Sequence, residues 1–162
     1  MQKLFNQLQK GFWGGLLWLG LLGLWPQAQA ADFSVGGGLS FAAGSSGSSL
    51  QGSAQFSVRN LVQAPPVALH LRAGADGSVS GGFALGLSVG PLLEVGLRPL
   101  NLYAGPTLGV RFSDLGTSGP LFGLVAGLEL PTGNVYTYAE LVYTFNGPAP
   151  GYGLRGGIRI SL

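Results

Sequence analysis

From Phe33 onward, apolar side chains recur at every second position and the charged ones avoid that phase. Phe33, Val35, Leu39 and Phe41 set the pattern. Leu50, Ala54, Phe56 and Val58 continue it, opposite Gln51, Ser53, Gln55, Ser57 and Arg59. Val67, Leu69, Leu71 and Ala73 alternate with His70 and Arg72. A period of two puts successive side chains on opposite faces of a strand, and no window shows helical spacing. Arg59, Arg72, Glu94, Arg98, Arg111, Glu129, Glu140, Arg155 and Arg159 all fall on the second phase. The chain is therefore all-β, and one face of its sheet tolerates no charge.

Turn signals divide the pattern into eight strands. "GSSGSS" (44–49) is a flexible turn, and "NLVQAPP" (60–66) breaks the alternation because prolines do not sit inside a ladder. A third strand leads into "DGSVSGG". Phe83 to Arg98 reads as one strand bent at Gly90-Pro91, because Phe83, Leu85, Leu87, Val89, Leu93, Val95 and Leu97 share one parity across that dipeptide. At about 3.3 Å per residue and a tilt near 45°, it covers roughly 35 Å, enough for a bilayer. Leu100 to Phe112, Pro120 to Leu130, Val135 to Phe145 and Gly151 to Leu162 follow, separated by "SDLGTSG", "PTGN" and "GPAP".

The first thirty residues belong to none of this. Lys3 and Lys10 precede the apolar run "GFWGGLLWLGLLGLW" (11–25), and Ala28-x-Ala30 follows. A basic start, a short apolar stretch and small residues at a cleavage site make a secretory signal over residues 1–30. Fifteen residues are too few for a membrane helix, which needs about 20. The mature domain, 31–162, keeps six arginines against six carboxylates, so the basic balance belongs to the leader and gives no support for nucleic-acid binding. All three tryptophans (Trp13, Trp18, Trp25) leave with it, so the processed product is expected to show no tryptophan fluorescence. Only 9% of the chain is charged, 30 residues are glycine, and there is no cysteine. About a quarter charged is usual for a soluble domain. An exported domain with so little surface charge and no disulfides suits a lipid solvent.

A sheet with one apolar face closes with that face inside in a soluble barrel and outside in a membrane barrel. The polar phase here is mostly Gly, Ser and Ala with scattered Arg and Glu, which fits a crowded lumen better than a water-exposed exterior. The aromatics also share a level. With both termini on the periplasmic side, Phe41, Phe83, Phe112, Phe122, Tyr143, Phe145 and Tyr152 face lipid near the outer rim as one arm of an aromatic girdle. Closure removes exposed strand edges, which lipid cannot hydrate. The expected architecture is an eight-stranded antiparallel up-and-down transmembrane β-barrel, its last strand beside its first.

The segments "LNLYAGPTLGVRF", "LVAGLEL", "YAELVYTF" and "GLRGGIRISL" resemble the eight-stranded outer-membrane barrels of Gram-negative-type envelopes, such as the outer-membrane protein A and X kind. The resemblance covers residues 32–162 and implies outer-membrane localisation with surrounding lipid as partner. It also implies insertion by the barrel-assembly machinery. In such families the last strand often ends in an aromatic. Here Ile158, Ile160 and Leu162 keep the alternation, with Leu in the aromatic's place.

For chemistry the sequence offers little. His70 is the only histidine; a lipid-cleaving barrel would need a serine and a carboxylate within its reach, and "ALHLRAGADGS" places no serine on its face nearby. A hydrogen-bonded lumen histidine is the expected role. Neither a metal site nor a cofactor is expected, and the Gly-rich runs lack the Lys and helix of a phosphate loop. The inward charges support two readings. One is a plug of ion pairs that stiffens a structural, envelope-stabilising monomer, with Glu140 and Arg155 as neighbours near mid-height and Arg59, Glu94, Arg98, Glu129 and Arg159 toward the periplasmic half. The other is a narrow porin-like channel, with six arginines against three glutamates favouring anions. A lipid-modifying enzyme ranks third.

Overall fold

The computed structural model describes residues 32–44, 47–78, 82–114, 116–145 and 151–162; the leader expected over residues 1–30 lies outside them. Eight strands follow one another: β1 (Asp32–Gly44), β2 (Gly47–Ala64), β3 (Val67–Ser78), β4 (Ala84–Leu97), β5 (Leu100–Ser113), β6 (Gly116–Thr132), β7 (Val135–Thr144) and β8 (Gly151–Ser161). Each pairs antiparallel with its neighbour, and β8 returns to β1 to close a barrel. The closing ladder runs from Ser34 opposite Ser161 to Ala43 opposite Tyr152.

Two segments differ from the sequence expectation, both because a strand absorbs residues that read as loop. "NLVQAPP" does not end β2. Val58 faces Leu71 and Val62 faces Leu69, so three residues of β2 oppose His70 alone in a bulge. Asn60 takes the positive φ of 56° that this bulge needs, a conformation Asn tolerates better than most residues. Only Pro65-Pro66 remain as the turn, where no ladder donor is required. "SDLGTSG" is likewise mostly strand. β6 starts at Gly116, and Gly119-Pro120 are taken up where Gly109 faces Leu121 but Arg111 faces Ser118.

Gly90-Pro91 does lie within one strand. It runs against Gly105-Pro106 of β5, and the pairing lapses between Val89–Leu108 and Leu93–Ala104. Two prolines facing each other supply no N–H there. The backbones instead close in: a Cβ on Gly90 would sit 2.0 Å from the Pro106 carbonyl oxygen, and one on Gly105 2.0 Å from that of Pro91. The β1–β8 seam is built the same way, with a Cβ on Gly38 meeting Gly156 O at 2.1 Å and one on Gly157 meeting Gly37 O at 2.2 Å.

Burial runs opposite to that of a water-soluble protein. Among the described residues, buried polar and charged side chains outnumber buried apolar ones eleven to five. The exterior is a continuous belt of Leu, Val, Ile and Phe, among them Leu39, Leu93, Leu124, Leu141 and Ile158. A patch of this size on a soluble monomer would aggregate. The barrel is a transmembrane one by its own surface chemistry: apolar outside, ionic inside. The folded chain is accordingly expected to need amphiphile. Anomalous gel migration until boiling, and precipitation when detergent is removed, would check this.

An ion-paired lumen as the candidate functional site

The inward phase of β2 to β8 feeds one polar network, organised around two fully buried carboxylates. Glu129, on β6, has no solvent exposure. It accepts hydrogen bonds from Arg59 (Nη1 3.2 Å, Nη2 2.5 Å), Arg159 (2.6 Å) and Asn101 (3.3 Å). Arg59 also reaches Glu94 at 2.9 Å. Glu140, on β7, is 2% exposed and accepts from Arg72 (2.7 Å), Arg155 (2.7 Å), Gln55 (2.8 Å) and the Tyr103 hydroxyl (2.8 Å). Arg155 further pairs with Asp76. Four lone-pair sites on a carboxylate meet four donors, so neither buried anion is left under-satisfied.

Gln55 joins the two centres. Its Nε2 donates to Glu140, while its Oε1 accepts from Arg159 at 2.7 Å. The result is a chain of alternating sign, Asp76–Arg155–Glu140–Gln55–Arg159–Glu129–Arg59–Glu94, along the bore. Aromatic faces line it. Arg59 stacks 4.4 Å from the Tyr136 ring centre, Arg159 5.0 Å from Tyr138, and Arg72 5.4 Å from Tyr103. Next to this chain Leu92, Tyr103 and Val125 form a small apolar cluster inside the barrel, with Val142 against it.

His70 fills the β2 bulge. Its Nδ1 accepts the Asn60 backbone N–H at 3.3 Å, which leaves the proton on Nε2, and Nε2 lies 3.2 Å from Glu94 Oε2. Both ring nitrogens face groups with no nucleophile among them. His70→Ala should cost about 1 kcal/mol, because it orphans one backbone donor that lumen water only partly satisfies. Urea unfolding of the detergent-solubilised barrel measures it.

Of the ten residues expected in the lumen network, eight meet there: Arg59, His70, Arg72, Glu94, Glu129, Glu140, Arg155 and Arg159. Arg98 and Arg111 stand apart. Arg98 is exposed in the β4–β5 turn, and Arg111 is exposed near the far end of β5. Their parity is inward, but their height places them at the mouths, where water reaches them. Asp76 joins instead, from the end of β3. Four arginines then face four carboxylates, so the excess of inward positive charge disappears and the expected preference for anions loses its basis. Glu140 and Arg155 are direct neighbours in the β7–β8 ladder.

The sequence reading missed Gln55, Asp76, Tyr103, Tyr136 and Tyr138 as members. Parity marks Gln55, Tyr103, Tyr136 and Tyr138, since each shares its strand's phase with a charged residue, whereas Asp76 opens a Gly/Ser-rich stretch whose composition resembles a turn. Outside, Phe41, Phe83, Phe112, Phe122, Phe145 and Tyr152 are exposed toward the end away from the termini. Tyr143 is partly covered by Phe145 and Tyr152, at ring-centre distances of 4.8 and 4.9 Å. Phe33 and Phe56 stack at 6.0 Å on the same exterior.

No protein-family model matches the sequence, nor does any curated protein. Solved structures do. Neisserial surface protein A is 18% identical, with a TM-score of 0.57 over 83% of this chain and 100% of its own. A major outer membrane protein from Thermus thermophilus is 15% identical, with a TM-score of 0.55 over 83% and 100%. Ail, the attachment invasion locus protein of Yersinia pestis, is 14% identical, with a TM-score of 0.54 over 82% and 97%. Ail and the Thermus protein are outer-membrane proteins and the Neisserial one is a surface protein; the feature shared with this chain is the fold.

Proposed function

We propose that this chain, which has the fold of the small outer-membrane barrels, is itself an integral outer-membrane protein. Its role on this reading is to stabilise the envelope, with a lumen stoppered by ion pairs rather than open to solutes. The observation that carries the reading is the cross-barrel chain from Asp76 to Glu94 through two solvent-free carboxylates. A conduction path would have to break it, and eight strands leave a bore that side chains nearly fill. Export by the leader, insertion by the barrel-assembly machinery and a monomeric state complete the proposal. Catalysis is not part of it, because the His70 Nδ1 is engaged by the bulge backbone and no nucleophile faces its Nε2, which lies 3.2 Å from Glu94. Adhesion is disfavoured too: the β1–β2 and β5–β6 hairpins close with Gly44 opposite Gly47 and Ser113 opposite Gly116, leaving little to grip.

A narrow pore is the second reading, favoured by inward glycines such as Gly86 and Gly153, whose missing side chains leave space in the bore. Planar bilayers separate the two. The plug reading expects no resolved conductance steps from the wild-type barrel and leakage of periplasmic markers from cells lacking it. Steps that vanish on replacing Glu140 or Arg155 would make the chain a channel.

A further inference from the structure

The β5–β6 irregularity opens a groove on the outer surface. β6 spends three steps, Leu121 to Ser118, where β5 spends two, Gly109 to Arg111. The extra residue of β6 is taken up at Gly119-Pro120, and the depression beside it measures about 530 Å³. Leu87 and Val89 of β4, Leu108 and Val110 of β5, and Thr117 and Pro120 of β6 line it. That volume is within the range of about 300–1,000 Å³ typical of small-molecule sites. Leu87, Val89 and Leu108 are on the exposed apolar phase, so the groove opens to the exterior and not into the lumen.

Its height is fixed by the ladder. Leu108 stands opposite Phe122, and Phe112 stands opposite Leu85, two residues from Leu87. The groove therefore starts just inside the aromatic rim and is continuous with the apolar belt. We infer that it holds one acyl chain of a membrane lipid, whose head group rests at the rim beside Thr117. The inference rests on the membrane placement proposed above. Two features make the groove a seat rather than a stretch of annular surface. Gly119 has no side chain to fill it, and a Cβ there would come within 3.2 Å of the Val110 side chain on the floor. Pro120 provides a rigid wall without a backbone donor that would seek water.

The test compares the wild-type barrel with Gly119→Leu, which fills the groove. Gly37→Leu serves as a filling control on the β1–β8 side of the exterior, where a Cβ meets nothing closer than 3.4 Å. Each protein is reconstituted into vesicles of phosphatidylethanolamine and phosphatidylglycerol, with and without added lipopolysaccharide, and floated on a density gradient to establish insertion. It is then extracted in mild detergent and weighed by native mass spectrometry. Wild type and Gly37→Leu should retain one lipid, and Gly119→Leu should retain at least tenfold less. The adduct mass distinguishes phospholipid from lipopolysaccharide as the source. Should Gly119→Leu fail to float, Leu108→Trp fills the groove from its other side and should show the same loss. Equal retention by wild type and a floating, groove-filled variant overturns the site, as does an absence of adducts in every protein that floats. Failure of the wild type to float would instead overturn the membrane placement.

Discussion

Replacing Glu140 by Gln is expected to destabilise the barrel by about 3–5 kcal/mol, the cost of leaving buried charges without their counter-charge. Arg72 and Arg155 both hold this carboxylate at 2.7 Å, and both are buried. Arg155 keeps Asp76, but Arg72 keeps only Gln55, at 3.5 Å. The amide preserves shape and two acceptor lone pairs while adding donors that point at guanidinium groups, so the loss is electrostatic and not a cavity. Urea titration of the folded barrel in detergent, followed by the fraction that resists unboiled electrophoresis, reads the shift. Arg111→Gln is the matched control. Arg111 is exposed, and its removal should move the midpoint by no more than about 0.5 kcal/mol. Equal effects from the two changes would mean that the lumen ions are hydrated rather than mutually dependent.

The second large effect concerns backbone approach. Gly90→Ala and Gly105→Ala each place a methyl carbon 2.0 Å from a proline carbonyl oxygen. No side-chain motion relieves this, because the clash is with backbone, so β4 and β5 must separate. A loss at or beyond about 3 kcal/mol is expected, visible as failure to reach the heat-modifiable form. Gly86→Ala, on the same strand and the same lumen face, meets nothing closer than 3.8 Å and should fold normally. The contrast isolates the seam from a general dependence on glycine. If all three variants fold alike, the close approach is not a constraint on this barrel.

Much of this architecture was legible beforehand, and the reason is parity. A strand has only two faces, so one charged residue per strand is enough to say which face is which. Arg59, Arg72, Glu129, Glu140, Arg155 and Arg159 share the charged phase of their strands and are buried in the structure. What parity does not contain is height. Arg98 and Arg111 have the inward phase but sit at strand ends, while Asp76 was hidden in a Gly/Ser-rich stretch whose composition resembles a turn. Cross-barrel contact was equally out of reach. Gln55 meets Glu140 from 85 positions away because of how the tilted strands are staggered, and no local pattern encodes stagger. Bulges escaped for a related reason: an inserted residue looks like a break in alternation, which is how "NLVQAPP" came to read as a loop although its first residues are strand.

The equality of four cations and four anions along the axis has a bearing on how the molecule responds to voltage. A potential across a bilayer does work of about 2.3 kcal/mol per elementary charge per 100 mV, and only on charge that is displaced through it. Threading these strands carries plus and minus together, so the electrical contribution to insertion cancels. A donor and acceptor locked at under 3 Å likewise present no mobile sensor for a field to pull. The folded barrel should therefore sit at the same depth and with the same stability whether the membrane around it is polarised or not.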